Sequence, residues 1–292
     1  MEYSFNTISA VLDRGVLFAT ISNPPCNVMS IQMMVDLTKL GEQIAADDTV
    51  CVLVLQSADP DFFIVHFDTP VVIEKSIEGL PKKPLELTPL YKMCSVFHDN
   101  PKPSLVKISG RAGGGGCEIA SSCDMRFGVR GKTLFNQMEV PLGLIPGGSG
   151  TQNLPRHMGR GRALEVILGG DDFDADTAEK WGFLNRAFDT VEDMNNFVDA
   201  LAFRIARWPS HAVALAKESV GNAELPWRQG LLEETFLAQF TLRNPITKQL
   251  LRKFMELGAH TREGEKRVSQ LCVEVAEAVA AENAEGDKGG KS

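Results

Sequence analysis

The sequence predicts an α/β fold in which helices pack on a mainly parallel sheet and helices alone make up the end of the chain. Three observations predict it. Short, largely apolar runs, Cys51–Leu55 and Leu105–Ile108, read as strands covered on both faces, the habit of parallel sheets. Strand, turn and helix patterns alternate through the first two thirds. From Val191 only helical patterning remains, broken at Trp208-Pro209, Leu225-Pro226 and Asn244-Pro245.

In order, Ser9–Ile21 reads as a hairpin whose turn is Asp13-Arg14-Gly15, and Asn23-Pro24-Pro25 ends its second strand. Ser30 is a cap for a helix over Ile31–Ala46, with Met34, Val35, Leu37, Leu40 and Ile44 at helical spacing. The strand Cys51–Leu55 follows, then a turn at Asp59-Pro60, a short apolar run and a helix start at Asp68-Thr69-Pro70. Residues 77–90 read as a mobile connection and Thr88–His98 as a helix. Met125–Val129 is a strand, Gly159–Leu168 a helix stopped by Gly169-Gly170, Asp174–Gly182 a short capped helix and Leu184–Phe188 an edge strand. A last helix over 264–282 leads to a disordered tail, 283–292.

The stretch from Pro103 to Gln152 carries the chemistry. The strand Leu105–Ile108 breaks into four consecutive glycines, Gly113–Gly116, and then into a helix start holding Glu118. Glycines let another group approach the backbone closely, and the first amides of a helix lack intrahelical partners. Glu139 adds a second carboxylate on a loop between apolar segments. Two carboxylates near free N–H groups suit acid/base chemistry beside an anion hole. The glycines are not a phosphate loop, because no Gly-Lys-Ser/Thr follows them.

With 292 residues, 43% of them hydrophobic, the chain is expected to be soluble and globular, able to bury a large core. A net charge of −8 argues against nucleic acid as a partner. The cysteines at 26, 51, 94, 117, 123 and 272 are scattered and are expected to be free thiols, and no zinc or other metal site is expected. With neither a leader pattern nor a membrane-length apolar run, no membrane association is expected and the cytoplasm is the expected location.

Taken together, Pro103-x-Leu-Val-x-Ile-x-Gly110 with Gly-Gly-Gly-Cys-Glu118, Cys123-Asp124, and Glu139-Val-x-Leu-Gly143-Leu-Ile-Pro-Gly-x-x-Gly150-Thr-Gln152 resemble the enoyl-CoA hydratase/isomerase (crotonase) superfamily. Asn23-Pro-Pro-x-Asn27, Gly169 and Ala175-x-x-Ala178-x-x-x-Gly182 are similar to further landmarks in the same order, over about residues 8 to 220. The resemblance implies a crotonase-like spiral of repeated ββα units over 1–205 that holds the active site. It also implies a helical part over 206–282 used for assembly as a homotrimer or dimer of trimers.

Carried over, it assigns Glu118 and Glu139 as the acid/base pair and the backbone amides of Phe67 and Gly115 as the hole for a thioester oxygen. Asp68, Gly114, Pro141 and Gly147 are expected at the substrate. It implies an acyl-CoA thioester substrate, coenzyme A entering as part of it, and no separate cofactor. Three departures stand out. Ile64-Val-His66-Phe67 replaces a small, glycine-containing turn, which makes His66 a third catalytic candidate, since an imidazole exchanges protons near neutrality. The stretch Phe254–Ala259 lacks the basic residues that help hold the nucleotide, and Gly147 stands where a dienoyl isomerase bears an acid. The expected activity is hydration or dehydration across the 2,3 double bond of an acyl-CoA. The alternatives are a specialised isomerase, decarboxylase, C–C lyase or cyclase for a bulky acyl group, or a non-catalytic binding relative.

Overall fold

The structure, a computed structural model, describes residues 2–74 and 83–289. It begins with the hairpin: β1 (Ile8–Asp13) and β2 (Val16–Ile21) pair antiparallel around Arg14 and Gly15, both at positive φ (47° and 82°). Positive φ at both central residues matches the right-handed twist of the strands they join. Next, α1 (Ile31–Ala46) is capped by the Ser30 hydroxyl, which accepts from the Met33 N–H. Its buried stripe is Met33, Leu37, Leu40 and Ile44, whereas Val35 is exposed, so the apolar face is rotated from the one the spacing suggested.

The chain then lays down strands in pairs. β3 (Val52–Ser57) is followed by β4 (Phe62–Ile64), β5 (Ser104–Ile108) by β6 (Arg111–Gly113), and β7 (Met125–Val129) by β8 (Leu134–Asn136). After them come β9 (Phe173–Asp174) and β10 (Arg186–Phe188). The first members join a six-stranded sheet of order β1-β2-β3-β5-β7-β10, parallel beyond the hairpin. The second members form a four-stranded sheet of order β4-β6-β8-β9, parallel except for β8 with β9. Each circuit thus adds one strand to each sheet, which is a spiral.

Helices fill the returns: α2 (Thr69–Ile73), α3 (Pro89–His98), α4 (Gly115–Ser122), α5 (Gly150–Met158), α6 (Arg160–Gly169) and α7 (Ala175–Trp181). The connection expected over 77–90 lies in part outside the described residues, which resume at 83. At the crossing of α1 and α3, Gly41 faces Val96, and a Cβ there would lie 2.6 Å from the Val96 side chain. Phe63, Phe97, Phe127, Phe135 and Phe183 are among the largest fully buried side chains. Each contributes about 1.5–3 kcal/mol of transfer free energy. Phe135, on β8, meets Phe183 edge-on, ring centroids 4.9 Å apart.

Two compact units result, residues 1–202 and 203–292. The division falls within the last turn of α8 (Val191–Ile205). The second is helical: α9 (Ser210–Gly221), α10 (Trp227–Arg243), α11 (Pro245–Glu256), α12 (Arg262–Lys266) and α13 (Val268–Gly289). The three proline breaks read from the sequence fall at the starts of α9, α10 and α11. The last helix continues to Gly289 rather than 282; Ala284 and Glu285 are good helix formers that carry it on. All six cysteines are free thiols.

Candidate active site

Glu118 reaches the site because strand, glycine turn and helix succeed one another within a few residues. β6 ends at Gly113, and Gly114 turns the chain at φ 46°, in the left-handed half of the map that glycine favours. α4 then starts at Gly115, which sets Glu118 in its first turn. The side chain is buried, 2% exposed. Its Oε1 accepts two backbone N–H groups, Gly148 at 2.7 Å and Gly150 at 2.9 Å, from the turn that opens α5. Burial pushes the carboxyl pKa up, and the amides of Gly150, Gly148 and Ser149 pull against it.

Glu139 follows β8 and is half-buried. Burial, and next the charge of Glu118, raise its pKa to about 7. The buried Gln137 amide, its nitrogen turned toward Glu139, donates to Oε2 at 2.9 Å. A Cβ built on Gly150 would lie 3.1 Å from Glu118 Oε1 and 3.0 Å from the Gln137 amide. One short turn and one amide therefore stand between the two carboxylates. The charge of Glu118 acts on Glu139 across that gap and favours its protonated form.

The two expected backbone donors lie together. A Cβ on Gly115 would sit 3.8 Å from the Phe67 nitrogen. Phe67 is placed by a parallel bridge to Met29: the Met29 N–H donates to the His66 carbonyl at 2.8 Å, and the Asp68 N–H donates to the Met29 carbonyl at 3.0 Å. Those bonds flank Phe67, and among the described residues neither its N–H nor that of Gly115 has a backbone acceptor. A Cβ on Gly114 would be 2.8 Å from Glu139 Oε1 and 3.6 Å from His66 Cβ, so amides, carboxylate and histidine border one space. His66 Nδ1 lies 2.9 Å from the Phe67 carbonyl, a bond it makes as the donor.

Of the other expected substrate residues, Gly147 precedes the Gly148 amide and lies near Leu90, 3.9 Å from where its Cβ would be. Asp68 caps the start of α2 with its backbone, its carboxylate making no cap bond. Pro141, two residues after Glu139, packs against Gly170 at the end of α6. Sequence reasoning missed Gln137, Cys94 and the hydroxyls behind Glu118. Gln137 is two residues before Glu139, yet only the fold shows that it turns toward it. Burial, and next the charge of Glu118, push the Cys94 thiol up to about 12.

The enoyl-CoA hydratase/isomerase family model matches residues 12–257. The short-chain-enoyl-CoA hydratase of Clostridium acetobutylicum is 30% identical over 219 residues, 74% of this chain and 82% of that one. A Dictyostelium discoideum protein named "Probable enoyl-CoA hydratase, mitochondrial" is 35% identical over 156 residues, 53% of this chain and 56% of that protein. The crystal structure of an enoyl-CoA hydratase from Bacillus anthracis superposes with a TM-score of 0.78 at 24% identity, covering 86% of this chain and 96% of that one. The spiral of paired strands is the crotonase fold that the resemblance implied. With these matches added to the paired glutamates and the glycine turn, the chain belongs to the enoyl-CoA hydratase/isomerase family.

Proposed function

We propose that this enzyme reversibly adds water across the 2,3 double bond of an acyl-CoA thioester. The observation that carries the reading is that Glu118 and Glu139 stand on either side of one short turn, beside the amides of Phe67 and Gly115, which have no backbone acceptor among the described residues. The thioester oxygen sits between those N–H groups and gains negative charge as the enolate forms. Losing one such donor raises a barrier by about 3–4 kcal/mol.

Glu118, its oxygen held by two N–H donors, is the carboxylate, and Glu139, with a pKa near 7, is the acid. Water gives a proton to Glu118 as its oxygen bonds to C3. Glu139 gives a proton to C2, and the thioester enolate collapses back to the carbonyl. Water is consumed, and the pair ends with its single proton on Glu118. Exchange with solvent restores the start. No separate cofactor takes part in this scheme, and coenzyme A enters with the substrate. Assembly as a homotrimer or dimer of trimers, and a cytoplasmic location, belong to the same proposal and are tested by light scattering and cell fractionation.

The test is hydration of crotonyl-CoA and trans-2-decenoyl-CoA, read as loss of the enoyl thioester's ultraviolet absorbance. Glu118→Gln and Glu139→Gln should each lower kcat by about 10²–10⁴-fold. Unchanged turnover in either variant defeats the reading. One observation favours a second reading, a relative specialised for a bulky acyl group: His66 and Phe67 border the space beside Gly114 and Gly115. Brisk turnover of crotonyl-CoA removes it.

A further inference from the structure

Behind Glu118 lies a network of hydroxyls that the proposed chemistry does not use. Ser121 and Ser122 each donate to the Glu118 carbonyl at 2.8 Å. The Ser122 oxygen lies 2.9 Å from that of Ser149. With the Ser122 proton committed to the carbonyl, Ser149 is the donor in that bond. All three hydroxyl oxygens accept from Asn153 Nδ2, at 3.3 Å for Ser121 and 3.1 Å for Ser122 and Ser149. The Cys94 thiol also bonds with the Ser122 and Ser149 hydroxyls, and Asn153 enters the network as a donor through Nδ2. Asn153 is buried in the first turn of α5, at 9% exposure.

Ser149 ties this network to the site. It lies between Gly148 and Gly150, whose amides hold Glu118 Oε1, and its φ is 124°. A side chain rarely adopts that backbone conformation, and strain of this kind persists only where the surroundings fix it. Here the fixing contacts are made at the Ser149 hydroxyl, which bonds with Ser122 and Cys94 and accepts from Asn153.

We propose that Asn153, acting through the Ser149 hydroxyl, is a positioning residue that holds the Gly148 and Gly150 amides on the Glu118 carboxylate. The inference rests on the hydratase reading for its kinetic consequence, but its structural claim stands apart from that reading. A merely structural network would cost stability when cut and leave the chemistry alone. The proposed role makes the opposite pattern at Ser149.

Two variants test it. Ser149→Gly keeps a residue that accepts φ 124° and deletes the hydroxyl. Its melting temperature should stay level or rise, while kcat for crotonyl-CoA or trans-2-decenoyl-CoA falls about tenfold with KM within about twofold. Asn153→Asp keeps the shape but replaces a donor by an acceptor. It should lower kcat at least as far and move the acidic limb of the kcat/KM profile to higher pH. Infrared titration of the carboxyl band that disappears in Glu118→Gln supplies a readout independent of turnover. In both variants that band should titrate at higher pH than in the parent protein. If both variants keep kcat within about twofold and the Glu118 band does not move, the inference is overturned. If the parent protein turns over neither thioester, the hydratase reading falls and the infrared titration alone decides this one: a shifted band upholds it, an unshifted band ends it.

Discussion

Glu118 Oε1 accepts the Gly148 N–H at 2.7 Å, a bond between a side chain on one helix and the turn that begins the next. The contact is close enough that residue 148 has no room for a side chain. A Cβ there would lie 2.6 Å from Glu118 Oε2 and 3.4 Å from Cys94 Sγ. Gly148→Ala should therefore push the carboxylate off its amides. We expect kcat to fall by about 10²-fold, as when a donor to a reacting charge is lost, and stability to fall by about 1–3 kcal/mol from overpacking. Steady-state kinetics and urea unfolding on the same preparation measure both.

Glu139 gives a pH dependence whose sign is fixed. Its pKa rises from 4.5 to about 7, through burial first and the Glu118 charge second. Between those values the folded protein keeps a proton that the unfolded chain has released, so stability falls as pH rises through that window. Glu139→Gln is neutral at every pH and should flatten this part of the curve. Urea unfolding at about pH 5 and about pH 8 should show the parent protein losing more stability than the variant. In the same range kcat/KM of the parent should decline above about pH 7, as the acid ionises.

Much of this was legible in the residues themselves. The hairpin was readable because Arg14-Gly15 is a local turn signal, and the helix over Ile31–Ala46 because Ser30 and an apolar stripe mark it. The four glycines and two glutamates pointed to the candidate site. The second sheet was not legible: β4, β6, β8 and β9 have three residues or fewer, too short for an alternation to show. Nor could spacing separate the four glycines by role. Gly113 makes room for the Val65 carbonyl, Gly114 supplies a positive φ, Gly115 stands beside the Phe67 nitrogen, and Gly116 lies against the Ile64 carbonyl. The Asn153 network joins residues from α4 and α5 that only the fold brings together.

Gly116 and Gly161 offer a paired test of why a helix carries glycine. A Cβ on Gly116 would run into the Ile64 carbonyl, rigid backbone at the end of β4. Gly116→Ala should shift α4 off the second sheet and cost about 3 kcal/mol or more. Gly161, within α6, has nothing within 4 Å of its Cβ position. Gly161→Ala should stabilise the protein by about 0.5–1 kcal/mol through helix propensity and the lost freedom of the unfolded chain. Opposite shifts in melting temperature are the expected result. Equal shifts would mean that close approach is not what selects glycine at 116.

Asp36 shows how the segment before β1 is held. The side chain lies on α1 and is buried, 3% exposed, although it carries a carboxylate. Its Oδ2 accepts from the Asn6 N–H at 2.9 Å, the Thr7 N–H at 2.8 Å and the Thr7 hydroxyl at 2.9 Å, while Oδ1 accepts from Gln32 at 2.9 Å. Removing the acceptor leaves several donors without a partner, each costing about 1–3 kcal/mol if it stays buried. Water can reach Asn6 and relieve part of that cost, so Asp36→Ala should lose about 3 kcal/mol in total. Asp36→Asn keeps a carbonyl oxygen for Thr7 but gives up the charge, and should lose about half as much. Hydrogen exchange adds the local readout: in Asp36→Ala the Asn6 and Thr7 amides should exchange faster by a larger factor than the β3 amides do. If the β3 amides speed up by the same factor, the loss is global and Asp36 does not anchor this segment in particular.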